Sequence, residues 1–164
     1  MSSKITIIIP VYNAEQTIEA LVKKLVFEIS KNNALEVILV NDCSSDQSEE
    51  KCIDLFKTFP DTVITLNLAK NVGEHNAVMA GLNSMSGDYA LIMDDDFQNP
   101  VSEAMKLIAY AQNKKYDVIY SSYDNKQHSF FRNLGSSFNN SVASVMLKKP
   151  KHLYLSSFKI LTKF

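Results

Sequence analysis

Short aliphatic runs alternate along this chain with longer stretches that are apolar on one side only, and this alternation constrains the fold more than any other feature. Residues 5–9 read Ile-Thr-Ile-Ile-Ile, a strand closed by Pro10; in the stretch 14–31 that follows, Ile18, Leu21, Val22, Leu25, Val26 and Ile29 recur at helical spacing. The pattern repeats: strands over 35–40, 63–68, 89–93 and 118–120, and helices over 46–59, 74–85 and 101–113. Ser44, Ser45 or Asp46 is suited to cap the second helix. Apolar strands alternating with amphipathic helices predict an α/β fold, a mainly parallel sheet flanked by helices on both faces. Such sheets bind ligands beyond the carboxyl ends of their strands. Those ends read Pro10-Val11-Tyr12-Asn13, Asn41-Asp42-Cys43-Ser44 and Asp94-Asp95-Asp96.

The last of these ends is the most telling. In Leu91-Ile92-Met93-Asp94-Asp95-Asp96-Phe97-Gln98-Asn99-Pro100, three carboxylates close an apolar run. A strand cannot carry them into a core, because unpaired buried charge is very costly. They must stand where the strand emerges. Alternation along an extended segment sends Asp94 and Asp96 one way and Asp95 the other. Two carboxylates from one short segment suit a hard divalent cation that also holds phosphate oxygens. A solvated acidic turn, or a cap for the helix after Pro100, would use the same residues.

The net charge of −1 conceals an uneven distribution. Residues 1–120 contain 10 Lys and Arg against 17 Asp and Glu; residues 121–164 contain 7 basic residues and one acid, Asp124. A cationic segment after an acidic metal-type motif suggests that an anion is handled between them, although a solvated basic surface would have the same composition. Cys43 and Cys52 have neither a second pair nor His spacing for zinc, and read as free thiols in a reducing compartment. No apolar run reaches the ~20 residues of a bilayer span, and the opening residues are too short and wrongly flanked for a signal peptide. The chain reads as cytosolic, with lying on a membrane surface left open; the resemblance drawn below implies the inner face of a membrane.

Beyond Ser121 the pattern changes. Phe131, Leu134, Phe138, Val142, Val145 and Met146 recur at helical spacing, with Arg132, Asn133, Asn139 and Asn140 between them. This stripe either meets a lipid surface as an amphipathic helix or packs onto the sheet or a partner subunit. A last strand is expected within 153–161.

Taken together, six segments resemble the family 2 inverting glycosyltransferases of GT-A fold (Rossmann-like nucleotide-diphospho-sugar transferases), in particular the polyprenyl-phosphate group that includes dolichyl-phosphate mannose synthases and undecaprenyl-phosphate aminosugar transferases. They are Ile8-Ile9-Pro10-Val11-Tyr12-Asn13, Val40-Asn41-Asp42-Cys43-Ser44-Ser45-Asp46, Asn71-Val72-Gly73 with Ala77 and Gly81, Met93 to Pro100, Arg132-Asn133-Leu134-Gly135-Ser136, and Tyr154-Leu155-Ser156-Ser157-Phe158-Lys159. No one of them is decisive; six in register are specific, and they cover nearly the whole chain.

The resemblance implies a nucleotide-sugar donor, UDP- or GDP-linked, whose diphosphate is held by Mg²⁺ or Mn²⁺ on Asp94 and Asp96, with Gln98 as a further ligand or water contact. It places Asp42 against the nucleobase and Pro10, Tyr12 and Glu15 around base and ribose. Asp95 becomes a sugar or ribose contact, although relatives often carry a small residue there. Asn71 and Gly73 are donor contacts by the same likeness, while the four-residue spacing of Ala77 and Gly81 suits close packing of a helix on the sheet. Glu74 and His75 read as a first-turn acid and a surface imidazole rather than as catalytic groups. The acceptor would be a polyprenyl phosphate, gripped by Arg132 and Ser136, one helical turn apart, with Lys159 and Lys126 as weaker candidates. Because a phosphate oxygen is already anionic, no general base is needed, and Asp96 and Arg132 become the catalytic groups. Transfer to a saccharide hydroxyl, or an inactive nucleotide-sugar-binding domain, are the alternatives. A nucleic-acid partner is not expected; contact with a membrane surface and a homo-oligomer are. Residues 1–164 are expected to form one catalytic domain, truncated at its C-terminus, with a donor half over 1–120 and an acceptor-side segment over 121–164.

Overall fold

The computed structural model describes residues 3–114, 116–121 and 156–163. The chain divides into two compact units, Met1–Ile119 with Ser157–Phe164, and Tyr120–Ser156. The helix expected over 131–146, and with it Lys126, Arg132 and Ser136, lies outside the described residues.

The elements run β1 (Lys4–Val11), α1 (Ile18–Ile29), β2 (Ala34–Asn41), α2 (Ser48–Thr58), β3 (Val63–Asn67), α3 (Glu74–Ser84), β4 (Tyr89–Ile92), α4 (Val101–Asn113), β5 (Val118–Tyr120) and β6 (Lys159–Thr162). They build a six-stranded sheet in the order β3-β2-β1-β4-β6-β5. β1 pairs in parallel with β2 and β4, and β2 with β3, whereas β6 runs antiparallel to β4. The sheet is mainly parallel, as the alternation of strands and helices requires.

The strands alternate strictly between two cores. Ile5, Ile7, Ile9 and Val11 face one side, where they meet Leu21, Val22 and Leu25 of α1, Leu55 of α2 and Ala104 and Ile108 of α4. Ile8, Ile38, Val40, Ala90 and Ile92 face the other, against Ala77 and Val78 of α3. Ala77 is fully buried, and a Cβ placed on Gly81 would stand 2.5 Å from Ile8 Cγ2. Small residues on that face of α3 are what let the helix lie against the sheet.

Several boundaries depart from the sequence expectation; the last strand, expected within 153–161, runs over Lys159–Thr162, and β4 stops at Ile92. Helix α1 begins four residues later than predicted, because residues 12–17 are drawn into a turn in which Thr17 and Ile18 donate to the Ala14 carbonyl. Helix α2 starts at Ser48, where no Gln47 side chain caps it; Asp46 accepts the Ser48 N–H at 3.0 Å instead. Pro10 does not close β1, which pairs on with β2 through Pro10↔Val40 and Val11↔Asn41.

That proline has a consequence for the site. The Ile8 carbonyl accepts the Met93 N–H, so the backbone of Ile8, and of residue 10 two positions on, faces β4. Pro10 has no N–H with which to extend that ladder. Pairing with β4 therefore ends at Ile8↔Ile92 while pairing with β2 continues. The two strands part at their carboxyl ends, at the point where successive crossovers switch from one side of β1 to the other.

The amino end of the sheet is closed by a buried acid. Glu36 of β2 is 5% exposed. Its carboxylate accepts the hydroxyl of Thr6 at 2.8 Å, the N–H of Ser86 at 2.9 Å, the Lys4 ammonium at 3.1 Å and the Ser86 hydroxyl. Burial opposes its charge, but these donors outweigh burial and hold the carboxyl down at about 2, against an ordinary 4.5. A carboxyl depressed in the folded state stabilises above its unfolded pKa, and that contribution disappears as pH falls through the folded one. The stability difference between the parent and Glu36→Gln, from urea melts, should be largest above pH about 5 and shrink steadily toward pH 2. A difference independent of pH over that range would refute this account of Glu36.

Candidate functional site

Loops leaving β1, β2 and β4 stand together at the carboxyl end of the sheet. Each contains one non-glycine residue in the left-handed region: Asn13 at φ 54°, Cys43 at φ 56° and Phe97 at φ 59°. Such backbone is uncommon outside glycine and persists where surrounding bonds enforce it.

In the first two loops, hydrogen bonds between the loops enforce it. Asn13 N–H donates to Ser44 Oγ at 3.1 Å, while the Ser45 N–H donates to Asn13 Oδ1 at 2.9 Å. Ala14 N–H donates to Ser48 Oγ at 2.8 Å, and Glu15 N–H to Asp46 Oδ2 at 3.1 Å. In return the Gln47 N–H donates to Glu15 Oε2 at 2.8 Å. Glu15, expected in the base and ribose pocket, here clasps one loop to the next. Pro10 is partly buried, and Tyr12 is exposed over about half its surface. The reciprocal pattern joins residues some 32 apart, and no local spacing in the sequence announces it.

Asp42, at the end of β2, is 3% exposed. Its Oδ1 accepts the Val72 N–H and its Oδ2 the Gly73 N–H, both at 2.8 Å. Gly73 holds φ 87°, a conformation costly for any residue with a Cβ, and so aims its N–H at the carboxylate. Asp42 thereby anchors the loop in front of α3, with the Asn71 side chain exposed at its rim. Asp42, Asn71 and Gly73, widely separated in sequence, lie together.

The acid triplet begins two residues past the end of β4. Asp94 Oδ2 accepts the hydroxyl of Ser157 at 2.8 Å, toward β6. Asp95 Oδ2 accepts the Tyr12 N–H at 3.3 Å, across the parting from β1. Asp96 Oδ1 accepts the Gln98 N–H at 3.0 Å and is exposed, as is the Gln98 side chain. Asp94 and Asp95 thus turn to opposite neighbours of β4. Burial pushes the Asp95 carboxyl up to about 6, against the pull of the Tyr12 N–H and with help from the charges of Asp96 and Asp94. Lys159, partly buried on β6, is paired in register with Ile92, two residues before Asp94. Ser157 lies within the segment Tyr154 to Lys159, whose spacing assigns it no partner.

Among the described residues, no three His, Cys, Asp or Glu side chains gather about one point. Asp94 and Asp96 offer carboxylate oxygens, the hard donors that Mg²⁺ and Mn²⁺ prefer. The hydrogen bonds named above use one oxygen of each, and an ionised carboxylate has about four acceptor positions. The donor set fits a divalent cation that completes its shell from a ligand. No described helix is long and apolar enough to cross a membrane.

A mainly parallel α/β sheet parted at its carboxyl ends binds ligands at the parting, and here three carboxylates stand there. Residues 6–163 match Glycosyl transferase family 2, and the chain belongs to that family. It is 35% identical over 141 residues to an undecaprenyl-phosphate 4-deoxy-4-formamido-L-arabinose transferase of Proteus mirabilis, covering 85% of this chain and 43% of that one. It is 38% identical over 135 residues to the protein of the same description from Yersinia pestis, covering 81% and 41%. The chain thus spans less than half the length of these curated relatives. Among solved structures, glucosyl-3-phosphoglycerate synthase from Mycobacterium tuberculosis, in complex with Mn²⁺, UDP and phosphoglyceric acid, superposes with a TM-score of 0.74 at 17% identity, over 98% of this chain and 56% of that one. A mannosyltransferase from Pyrobaculum calidifontis in complex with GDP-Man and Mn²⁺ superposes at 0.64 and 16% identity, over 99% and 45%. Both share the fold.

Replacing Asp42 by Ala would leave the Val72 and Gly73 N–H groups without their acceptor. Amide exchange at those two positions should quicken by about tenfold or more, with a loss of about 1–3 kcal/mol in stability. Unchanged exchange at both amides would show that the loop holds its shape without Asp42.

Proposed function

We propose that the chain is the donor-binding core of a metal-dependent inverting glycosyltransferase that moves a sugar from a nucleotide donor to a polyprenyl phosphate. The observation that carries this reading is the placing of Asp94, Asp95 and Asp96 at the parting of β1 and β4, on a chain of this family. The described names of the relatives supply the acceptor class, undecaprenyl phosphate. UDP with Mn²⁺ in one fold neighbour and GDP-Man with Mn²⁺ in another support a nucleotide diphosphate and a divalent cation. The titration below reads which base the site takes.

In this reading Pro10, Tyr12 and Asp42 line the nucleoside pocket, with Asn71 and Gly73 at its rim. Glu15 keeps that pocket in shape through Gln47. Asp94 and Asp96, with Gln98 beside them, hold the cation, which when bound offsets charge on the leaving diphosphate. Asp95 ties the nucleoside loop to the acid loop through Tyr12, and meets the ribose or sugar with its other oxygen. The acceptor phosphate is drawn to Arg132, Ser136 and Lys159. Its oxygen is anionic at neutral pH, so it attacks the anomeric carbon without a base to deprotonate it, and in-line displacement inverts that centre. Residues 121–164 act as the acceptor side of one catalytic domain. An acceptor anchored in lipid places the reaction at the cytoplasmic face of a membrane.

Calorimetric titration of UDP and GDP, with Mn²⁺ and with EDTA, tests the proposal. One nucleotide should bind in the presence of Mn²⁺, and its binding should fall by about tenfold or more in EDTA and in Asp94→Asn and Asp96→Asn. Failure of a folded protein to bind either nucleotide would end the donor-site reading.

A further inference from the structure

We propose that Ser157 is a positioning residue for Asp94, fixing the direction in which that carboxylate presents itself to a divalent cation. The inference rests on the donor-site reading above and adds to it a residue from the far end of the chain, 63 positions away.

β4 cannot orient Asp94 by itself, because its ladder ends at Ile92 and Asp94 lies beyond it. What stands opposite is decided by β6. The antiparallel register pairs Tyr89 with Thr162 and Ile92 with Lys159; carried two residues past the ladder it sets Ser157 against Asp94. Ser157 is itself held in place by its neighbour. Phe158 is 2% exposed and Ile160 1% exposed, and both are packed in the core that also contains Leu91 and Met93. The hydroxyl then donates to Asp94 Oδ2 at 2.8 Å.

The chemistry of the donor matters as much as its place. Asp94 is followed by two more carboxylates, and without a partner it would turn away from their charge. A lysine or arginine in the position of Ser157 would hold it, but as an ion pair that competes with a cation for the same oxygens. A neutral hydroxyl occupies one lone pair of Oδ2, restricts the side chain to one rotamer and leaves the charge and Oδ1 for the metal. The seam between β4 and β6 does not need this bond to hold, since four register pairs and two buried side chains already close it.

The test compares Ser157→Ala, Ser157→Cys and Ser157→Thr with the parent chain. Mn²⁺ is titrated in the presence of saturating UDP or GDP, free Mn²⁺ is read by electron paramagnetic resonance, and thermal unfolding is followed alongside. Ser157→Ala and Ser157→Cys should weaken Mn²⁺ by about tenfold while unfolding at the parent's temperature, and Ser157→Thr should restore the affinity. Mn²⁺ affinity in Ser157→Ala equal to the parent's would overturn the proposal and leave the donor site standing. So would a loss of affinity that accompanies a large fall in unfolding temperature in both the Ala and Cys variants, because the bond would then be part of the seam. A parent chain that binds no Mn²⁺ with either nucleotide would remove both this role and the donor-site reading.

Discussion

β1 is buried on both faces and hydrogen-bonded along both edges, and the remainder of the structure follows from that confinement. Ile5, Ile7, Ile8 and Ile9 have no exposure, and the one polar side chain among them, Thr6, is fully buried and bonded to Glu36. A strand enclosed in this way can place polar chemistry only at its ends. Its amino end is locked and its carboxyl end is open. The difference comes down to one residue: Pro10 has no N–H to continue toward β4, so the two strands separate where the crossovers change side.

The two ends handle polar groups in opposite ways. At the amino end, Lys4, Thr6, Glu36 and Ser86 hydrogen-bond to one another. At the carboxyl end the hydrogen bonds run mostly between loops and through backbone N–H groups, as in the exchange between residues 13–15 and 44–48. Backbone strain at Asn13 and Cys43, of order 1–3 kcal/mol each, is offset by that exchange. The result is a set of loops tied to one another through backbone N–H groups and side-chain oxygens, with the Tyr12, Asp96 and Gln98 side chains exposed. Preorganised loops of this kind suit a ligand with a charged, flexible diphosphate, because the protein need not be ordered as the ligand arrives.

β6 gives the site its other wall. By running antiparallel beside β4 it brings Ser157 and Lys159 from the end of the chain to the acid triplet. A βαβ succession would have supplied only the residues that follow β4 itself. Lys159 pairs in register with Ile92, two residues before Asp94, so a basic side chain stands on the strand next to the one that leads into the acid triplet.

The sequence by itself determined the fold class and the succession of β1 to β5 along the chain, because strand and helix periodicities are local and each apolar run declares which side it buries. It also determined that Asp94, Asp95 and Asp96 stand outside the core, since three adjacent charges have no place within it, and that Ala77 and Gly81 admit a helix close to the sheet. Partnership was decided only by the tertiary structure. Alternation set Asp94 and Asp96 together, yet the strand ends at Ile92, and the bend beyond it sends Asp94 to Ser157 and Asp95 to Tyr12. Pro10 read as a stop because its missing N–H is a local fact, whereas the edge it faces is not. Glu15 and Asp46 read as pocket and cap, and only the approach of two loops made them a clasp. Hydrogen bonds between residues 30 to 80 positions apart depend on which strands become neighbours, and that is fixed by the packing of the whole sheet.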